Sequence, residues 1–150
     1  MRTEVLNFLN KEKLVTLATV DERGKPWICN LFFATDEMLN IFIVSKRKAK
    51  HSVQIESNPE VAYTVCSYNK ETEMEKIAIQ AQGNAELIKD LPTLSKGAKL
   101  IFQKFSDWEL KPKEMLKKLS ELGEYQMYKI TPKFIKFWDE TLDIKEEQEF

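Results

Sequence analysis

Over most of this chain apolar and polar positions alternate with a period near two, interrupted by stretches with helical spacing. The first helical stretch covers 3–11. There Val5, Leu6, Phe8 and Leu9 gather on one face, and Thr3 stands where a capping hydroxyl would. From Leu14 the pattern becomes Leu-Val-Thr-Leu-Ala-Thr-Val, a β-branched run ending at Asp21-Glu22-Arg23-Gly24-Lys25-Pro26. That segment predicts a hairpin turn with Gly24 free to take positive φ. A second strand follows at 27–34, Thr35-Asp36-Glu37 turns the chain, and a third strand covers 39–44. Short turns join all three, so they form an antiparallel meander; parallel neighbours would need long crossovers. Both alternating faces are largely apolar. One face should line a barrel, and a helix or a second subunit should cover the other.

Beyond the third strand, 49–57 reads as one short helix stopped by Asn58-Pro59, and 61–67 as a fourth strand. A polar loop at 69–75 leads into a long fifth strand, on which Ile77, Ile79, Ala81, Gly83, Ala85 and Leu87 share a face. The chain from 91 to 122 is helical. Pro92 fits its first turn, Leu94, Ala98, Ile101, Phe102 and Phe105 make its stripe, and Lys111-Pro112 breaks it before Met115, Leu116 and Leu119. Gly97 weakens that helix only modestly. Two last strands, 125–131 and 134–138, flank Pro132, and the charged end at 144–150 should fray. The expectation is a mainly β, single-domain chain over 1–150: a barrel of six to seven mostly antiparallel strands with flanking helices at its ends.

Composition removes several functions. A length of 150 residues suits one domain with its own core, and a formal charge of −1 gives no reason to expect nucleic acid. Cys29 and Cys66 stand far apart in apolar runs, which fits a reducing cytosol. One histidine and two separated cysteines do not make a metal-ligand set. No apolar stretch is long enough to cross a bilayer, and Met1-Arg2-Thr3-Glu4 lacks the apolar core of a signal peptide, so a cytoplasmic protein is expected.

The order of these pieces resembles the FMN-binding split barrel family, also called pyridoxamine 5'-phosphate oxidase-like. The residues that carry the resemblance begin with Leu14-Val15-Thr16-Leu17-Ala18-Thr19 and the Gly24-Lys25-Pro26 turn. They continue through Phe42-Ile43-Val44-Ser45, the basic run 46–50, His51 and Asn58-Pro59-Glu60-Val61-Ala62. Gln82-Gly83-Asn84-Ala85-Glu86 and Tyr128-Lys129-Ile130-Thr131-Pro132, leading to Phe137-Trp138, complete them. The resemblance implies a split barrel that forms a homodimer, with a flavin in a groove between the subunits. It also implies oxidation or reduction of a small molecule, with NAD(P)H among the possible partners. Some members of the family hold haem or the deazaflavin F420 in place of FMN.

The basic run has a physical reading of its own. Lys46, Arg47, Lys48 and Lys50 concentrate positive charge where a strand gives way to a helix, and a phosphate there would meet free backbone N–H groups and the positive helix end. Lysine and serine side chains would add hydrogen bonds. By resemblance, Lys50 and His51 fall where the family grips the FMN phosphate, Ser45 where the strand end touches the cofactor, and Lys46 and Ser52 beside them. The strongest members carry Arg-Lys at that place; His51 would be mostly neutral at pH 7 unless a phosphate raised its pKa. The bland alternative is a solvated turn that balances Glu56 and Glu60.

Around the ring, Asn30 and Phe32 lie on the second strand beside the expected isoalloxazine. Asn30 would bond either a flavin atom or a neighbouring strand. Gln80 on strand five would reach the ring only if its face closes on a partner subunit, and Trp138 would wall the groove or simply pack. Trp108, in the helical insert, has less to commend it. No acid, base or nucleophile constellation is visible, so no catalytic residue is named. The favoured function is an FMN-dependent oxidoreductase or flavin reductase. The alternative is a flavin-, F420- or haem-binding carrier, sensor or stress protein without robust turnover, followed by a dimer with no cofactor.

Overall fold

Hairpins and one long bent strand decide how this chain closes. The computed structural model describes residues 1–68, 71, 75–107, 112–120 and 123–150. Most of the loop expected at 69–75, Trp108, Lys111 and Leu122 lie outside them. The element order is α1 (Arg2–Lys11), β1 (Leu14–Val20), β2 (Pro26–Thr35), β3 (Ile41–Lys46), α2 (Lys50–Ser57), β4 (Glu60–Tyr68), β5 (Lys76–Leu87), α3 (Leu91–Lys104), α4 (Pro112–Ser120), β6 (Tyr125–Asp139) and β7 (Ile144–Glu149). The strands form one antiparallel sheet in the order β3-β2-β1-β4-β5-β6-β7, and a β3–β6 ladder closes six of them into a barrel.

The first hairpin turns because the Asp21 carboxylate accepts Arg23 N–H and Lys25 N–H while Gly24 takes φ +76°. The second turn is longer than 35–37. Asp36 collects Met38 N–H, Asn40 N–H and the Asn40 side chain, and this holds Leu39 at φ +65° with its side chain buried. The third strand therefore starts at Ile41, two residues after the expected point.

Inside the barrel, Leu17, Phe33, Ile41, Ile43, Ile79, Ile130 and Ile135 are fully buried, and α1 plugs one end with Val5, Phe8 and Leu9. Each such aliphatic or aromatic side chain contributes about 1.5–3 kcal/mol by leaving water. Thr3 does not cap α1. Met1 is the cap residue, without a side-chain bond, and its amine pairs with Glu4 (2.8 Å) and Glu146 (3.5 Å). A second core forms on the outer side of β2, β3 and β6, where α3 and α4 bring Ala98, Ile101, Phe105, Met115 and Leu119 onto Phe42 and Met127. Asp90 caps α3 by accepting Thr93 N–H, and Lys96 pairs with the buried Asp36 at 2.9 Å. Lys104 ties α3 to α1: its ammonium donates to Leu9 O (2.9 Å) over the Phe33 ring, and burial pushes its pKa down to about 8.

Two expectations at the C-terminal end are corrected. Residues 125–139 are one strand, not two. Pro132 does not break it, because the β5–β6 register shifts between Gln82 and Gly83, so Lys133 is the extra residue and the proline sits at a bulge, where proline is tolerated in a strand. Nor is the end frayed: Ile144–Glu149 pair with Phe134–Asp139 as β7, after a turn in which Thr141 bonds the Asp139 carboxylate.

Candidate functional site

The ladder between β2 and β3 is only three pairs long, Phe33↔Ile43, Ala34↔Phe42 and Thr35↔Ile41. Below it the strands part. β2 runs on beside β1 alone and β3 beside β6 alone, so the edge of β2 from Pro26 to Phe32 faces no strand on that side. Backbone N–H and C=O groups along such an edge need partners from elsewhere.

The basic turn stands at the end of β3, on the rim of this split. Ala49 precedes α2 and offers no side-chain cap, and the first helical bond is Val53 N–H to Ala49 O (3.0 Å). The amides of Lys50, His51 and Ser52 thus lack acceptors within the helix. Lys46 pairs with Glu124 (3.0 Å) and Arg47 with Glu56 (3.6 Å), all four side chains well exposed. Lys50 has no carboxylate partner among the described residues; its ammonium lies 4.2 Å from the centre of the Trp27 ring.

His51 turns away from solvent. It is buried, its Nε2 is hydrogen-bonded to the Ser45 hydroxyl at 2.6 Å, and burial lowers its pKa below the usual histidine value. Ser52 is completely buried beside the Tyr128 hydroxyl, and among the described residues neither hydroxyl has a well-formed hydrogen bond. Burial raises the Tyr128 phenol, with Ser52 acting in the opposite sense. Ser45, His51 and Ser52 therefore form the inner wall of the turn, and Lys46 and Lys50 its exposed flanks.

On the outer face of the sheet, one row of side chains crosses every strand from β2 to β6. The register aligns Asn30 with Thr16, Thr16 with Thr64, Thr64 with Gln80 and Gln80 with Lys136. Thr16 Oγ1 donates to Asn30 Oδ1 (2.7 Å), the cross-strand bond that the sequence left open against a ligand bond, and the Asn30 amide nitrogen remains. The next row runs Ile28, Ala18, Ala62, Gln82 and Phe134. Around a shallow groove of about 370 Å³ the lining side chains of these rows are uncharged, with Lys136 beyond its end. Gln80 is exposed there, and Trp138 stands one row further with the Lys76 ammonium 5.4 Å from its ring centre. At about 4.8 Å per strand, Gln80 lies about 14 Å from Asn30. Within one chain they belong to different places.

Phe32 is exposed, and its ring meets that of Phe105 edge-on at 5.6 Å, at the wall of a cavity of about 460 Å³ between the split and the α3–α4 layer. Sequence reasoning placed Phe32 but not Tyr125, Lys118 or the helical wall, because nothing in a helical stripe tells which part of a sheet it will cover. Among the described residues no group of three potential metal ligands exists, and no helix is long and apolar enough to cross a membrane.

Comparison with known proteins places this geometry. The family model described as pyridoxamine 5'-phosphate oxidase matches residues 1–139. No curated protein matches the chain in sequence. Among solved structures, a conserved hypothetical protein from Mycobacterium tuberculosis is similar over 93% of this chain and 85% of its own, with a TM-score of 0.76 at 18% identity. A heme binding protein from Mycobacterium smegmatis has a TM-score of 0.77 at 11% identity; 99% of this chain is covered but only 58% of that one, so the chain spans little more than half of it. The heme storage protein HutZ from Vibrio cholerae has a TM-score of 0.68 at 20% identity, with 87% and 88% covered. At these identities the likeness is one of fold.

Proposed function

The chain belongs to the pyridoxamine 5'-phosphate oxidase family, and from that premise we propose that it is a homodimeric flavoprotein that holds FMN and oxidises or reduces a small molecule. The observation that carries this reading is the uncapped start of α2 on the rim of the β2–β3 split, bearing a Lys50 that has no carboxylate partner among the described residues. A dianionic phosphate fits the amides of Lys50, His51 and Ser52 together with the Lys50 ammonium. Lys46 and Arg47 can turn to it at little cost, because exposed ion pairs contribute about 0–1 kcal/mol. His51 supports the turn as a neutral partner of Ser45 rather than as a second cation.

The ring has a matching place. The unpartnered edge of β2 and the Asn30 amide can meet the polar edge of an isoalloxazine, while Phe32 supplies an apolar flank. Gln80 and Trp138, too distant within one chain, come into reach only from a second copy packed on the uncharged outer rows. When bound, FMN would supply the hydride or electron transfer, with NAD(P)H a suitable donor. The residues of this chain position it and exclude water.

A second reading is a binding module without robust turnover, holding FMN, F420 or haem. The likeness to the heme binding protein of M. smegmatis and the heme storage protein of V. cholerae favours haem. Against imidazole ligation of iron, His51 is the sole histidine, and its Nε2 is engaged by Ser45. The test is titration of flavin-free protein with FMN and with riboflavin, which lacks the phosphate. Lys50→Ala should weaken FMN binding about ten- to hundred-fold, the scale of a hydrogen bond to a charged group, and leave riboflavin unchanged. Equal FMN affinity in both proteins would reject the phosphate site. Oxidation of NADH or NADPH by the loaded protein then separates enzyme from carrier.

A further inference from the structure

α1 closes one end of the barrel, and the seam where its last turn meets α3 holds a cation without an anion. The Lys104 ammonium donates to Leu9 O at 2.9 Å and lies 3.7 Å from the centre of the fully buried Phe33 ring. Among the described residues it forms no ion pair. α1 offers it a carbonyl and β2 a ring, while Glu12, just past α1, is the charged group that acts on it and favours the charged form. We propose that this seam is a proton-controlled latch: uptake of a proton by Lys104 loosens the last turn of α1 from α3, and loss of that proton draws the turn tight. The latch is built by one chain's own contacts and does not rest on the flavin reading. Phe33 pairs with Ile43 on the last rung of the β2–β3 ladder before those strands part, so the latch bears on the head of the split.

The direction follows from what the seam does to each form of the amine. Neutral or charged, it has an N–H to give Leu9 O, but only the charged form loses strong hydration by entering the seam. Burial outweighs Glu12 and pushes the pKa down to about 8, from 10.5 for a lysine in water. Opening returns the side chain to water, so the open turn holds the proton more tightly than the closed one. Closure is therefore weakest below about pH 8, strengthens as the pH rises toward 10.5, and levels off beyond it. The far end of α1 carries a second amine of opposite sense. Hydrogen bonding to Glu4, with the charge of Glu146, raises the pKa of the Met1 amine, so that contact weakens as the pH rises.

Amide hydrogen exchange of the full chain tests this in wild type, Lys104→Met and Lys104→Arg, between about pH 7 and pH 9. The amides of Phe8 to Lys11 have the same intrinsic exchange in all three proteins at a given pH, and the Met1 contacts are the same. The ratio of their rates therefore reports opening of the seam alone. From pH 7 to pH 9 the ratio of wild type to Lys104→Met should fall about three- to tenfold, the span set by the two pKa values and reduced for the partial exposure of Lys104. Arginine stays charged throughout, so the ratio of Lys104→Arg to Lys104→Met should hold steady. Should the methionine variant fail to fold, the ratio of wild type to Lys104→Arg still decides, and it should fall over the same range. A wild-type ratio that stays level or rises with pH overturns the latch, as does an equal fall in the arginine variant.

Discussion

Adjacent residues on α2 do opposite work. Lys50 and His51 are neighbours in sequence, but successive helical residues point about 100° apart, so one faces the split and the other the interior. The sequence revealed two bases at a helix start and could not show that Ser45, six residues earlier on β3, would claim the imidazole. A buried neutral histidine has a pH signature. Its folded pKa lies below its unfolded value of 6.5, so the unfolded chain binds the proton first. The contribution of His51 is therefore complete above pH 6.5 and is lost as the pH falls below it. Thermal midpoints of wild type and His51→Gln should differ most at pH 7 and converge toward pH 5. Parallel curves across that range would show that His51 is not the group responsible.

The strands of β1, β2, β4 and β5 were legible because period-two alternation survives where one face is buried. What was illegible lies where local chemistry and tertiary role disagree. Helix propensity alone makes Gly97 a modest weakness, worth about 1 kcal/mol against alanine. In the fold it is a point of contact: a Cβ there would strike the Met127 sulfur and lie 2.8 Å from a Phe42 ring carbon, both residues fully buried. Gly97→Ala should therefore destabilise the protein by about 1–3 kcal/mol through overpacking, and the same change should cost less when made in a Met127→Ala background, as read by urea unfolding. A stabilised variant would show that the α3–barrel contact yields freely. β7 was misread for a related reason. Ile144-Lys145-Glu146-Glu147-Gln148-Glu149 has one apolar residue, and nothing local marks it as a strand. Its charges instead find partners, Lys136 with Glu147 at 2.9 Å and the Met1 amine with Glu146, and a charged edge strand resists further pairing. Truncation after Asp143 should lower the thermal midpoint and uncover the β6 edge. An unchanged midpoint would return these residues to the status of a tail.

At the scale of the whole molecule, both sheet faces were expected to be covered, and the fold shows which cover the chain itself supplies. α3 and α4 take the corner of β2, β3 and β6, while the rows through Thr16 and Ala18 stay open. A barrel wall that faces water normally carries lysine and glutamate. Here Ile28 is 63% exposed, beside Ala18, Ala62 and Gln82, with Gln80 in the next row. Small uncharged side chains in register make a flat surface that suits a second copy of itself, and the distance from Gln80 to Asn30 is what such a copy would close. Ile28→Glu tests this without touching the core. In an isologous dimer the change falls twice, and each copy buries an unpaired carboxylate at a cost of several kcal/mol. Light scattering should report a dimer for the wild type and a folded monomer for the variant, with FMN affinity lost in parallel although every phosphate-binding group is retained. A variant that remains dimeric with its flavin would place the subunit contact elsewhere, and Gln80 and Trp138 would then have no route to the ring.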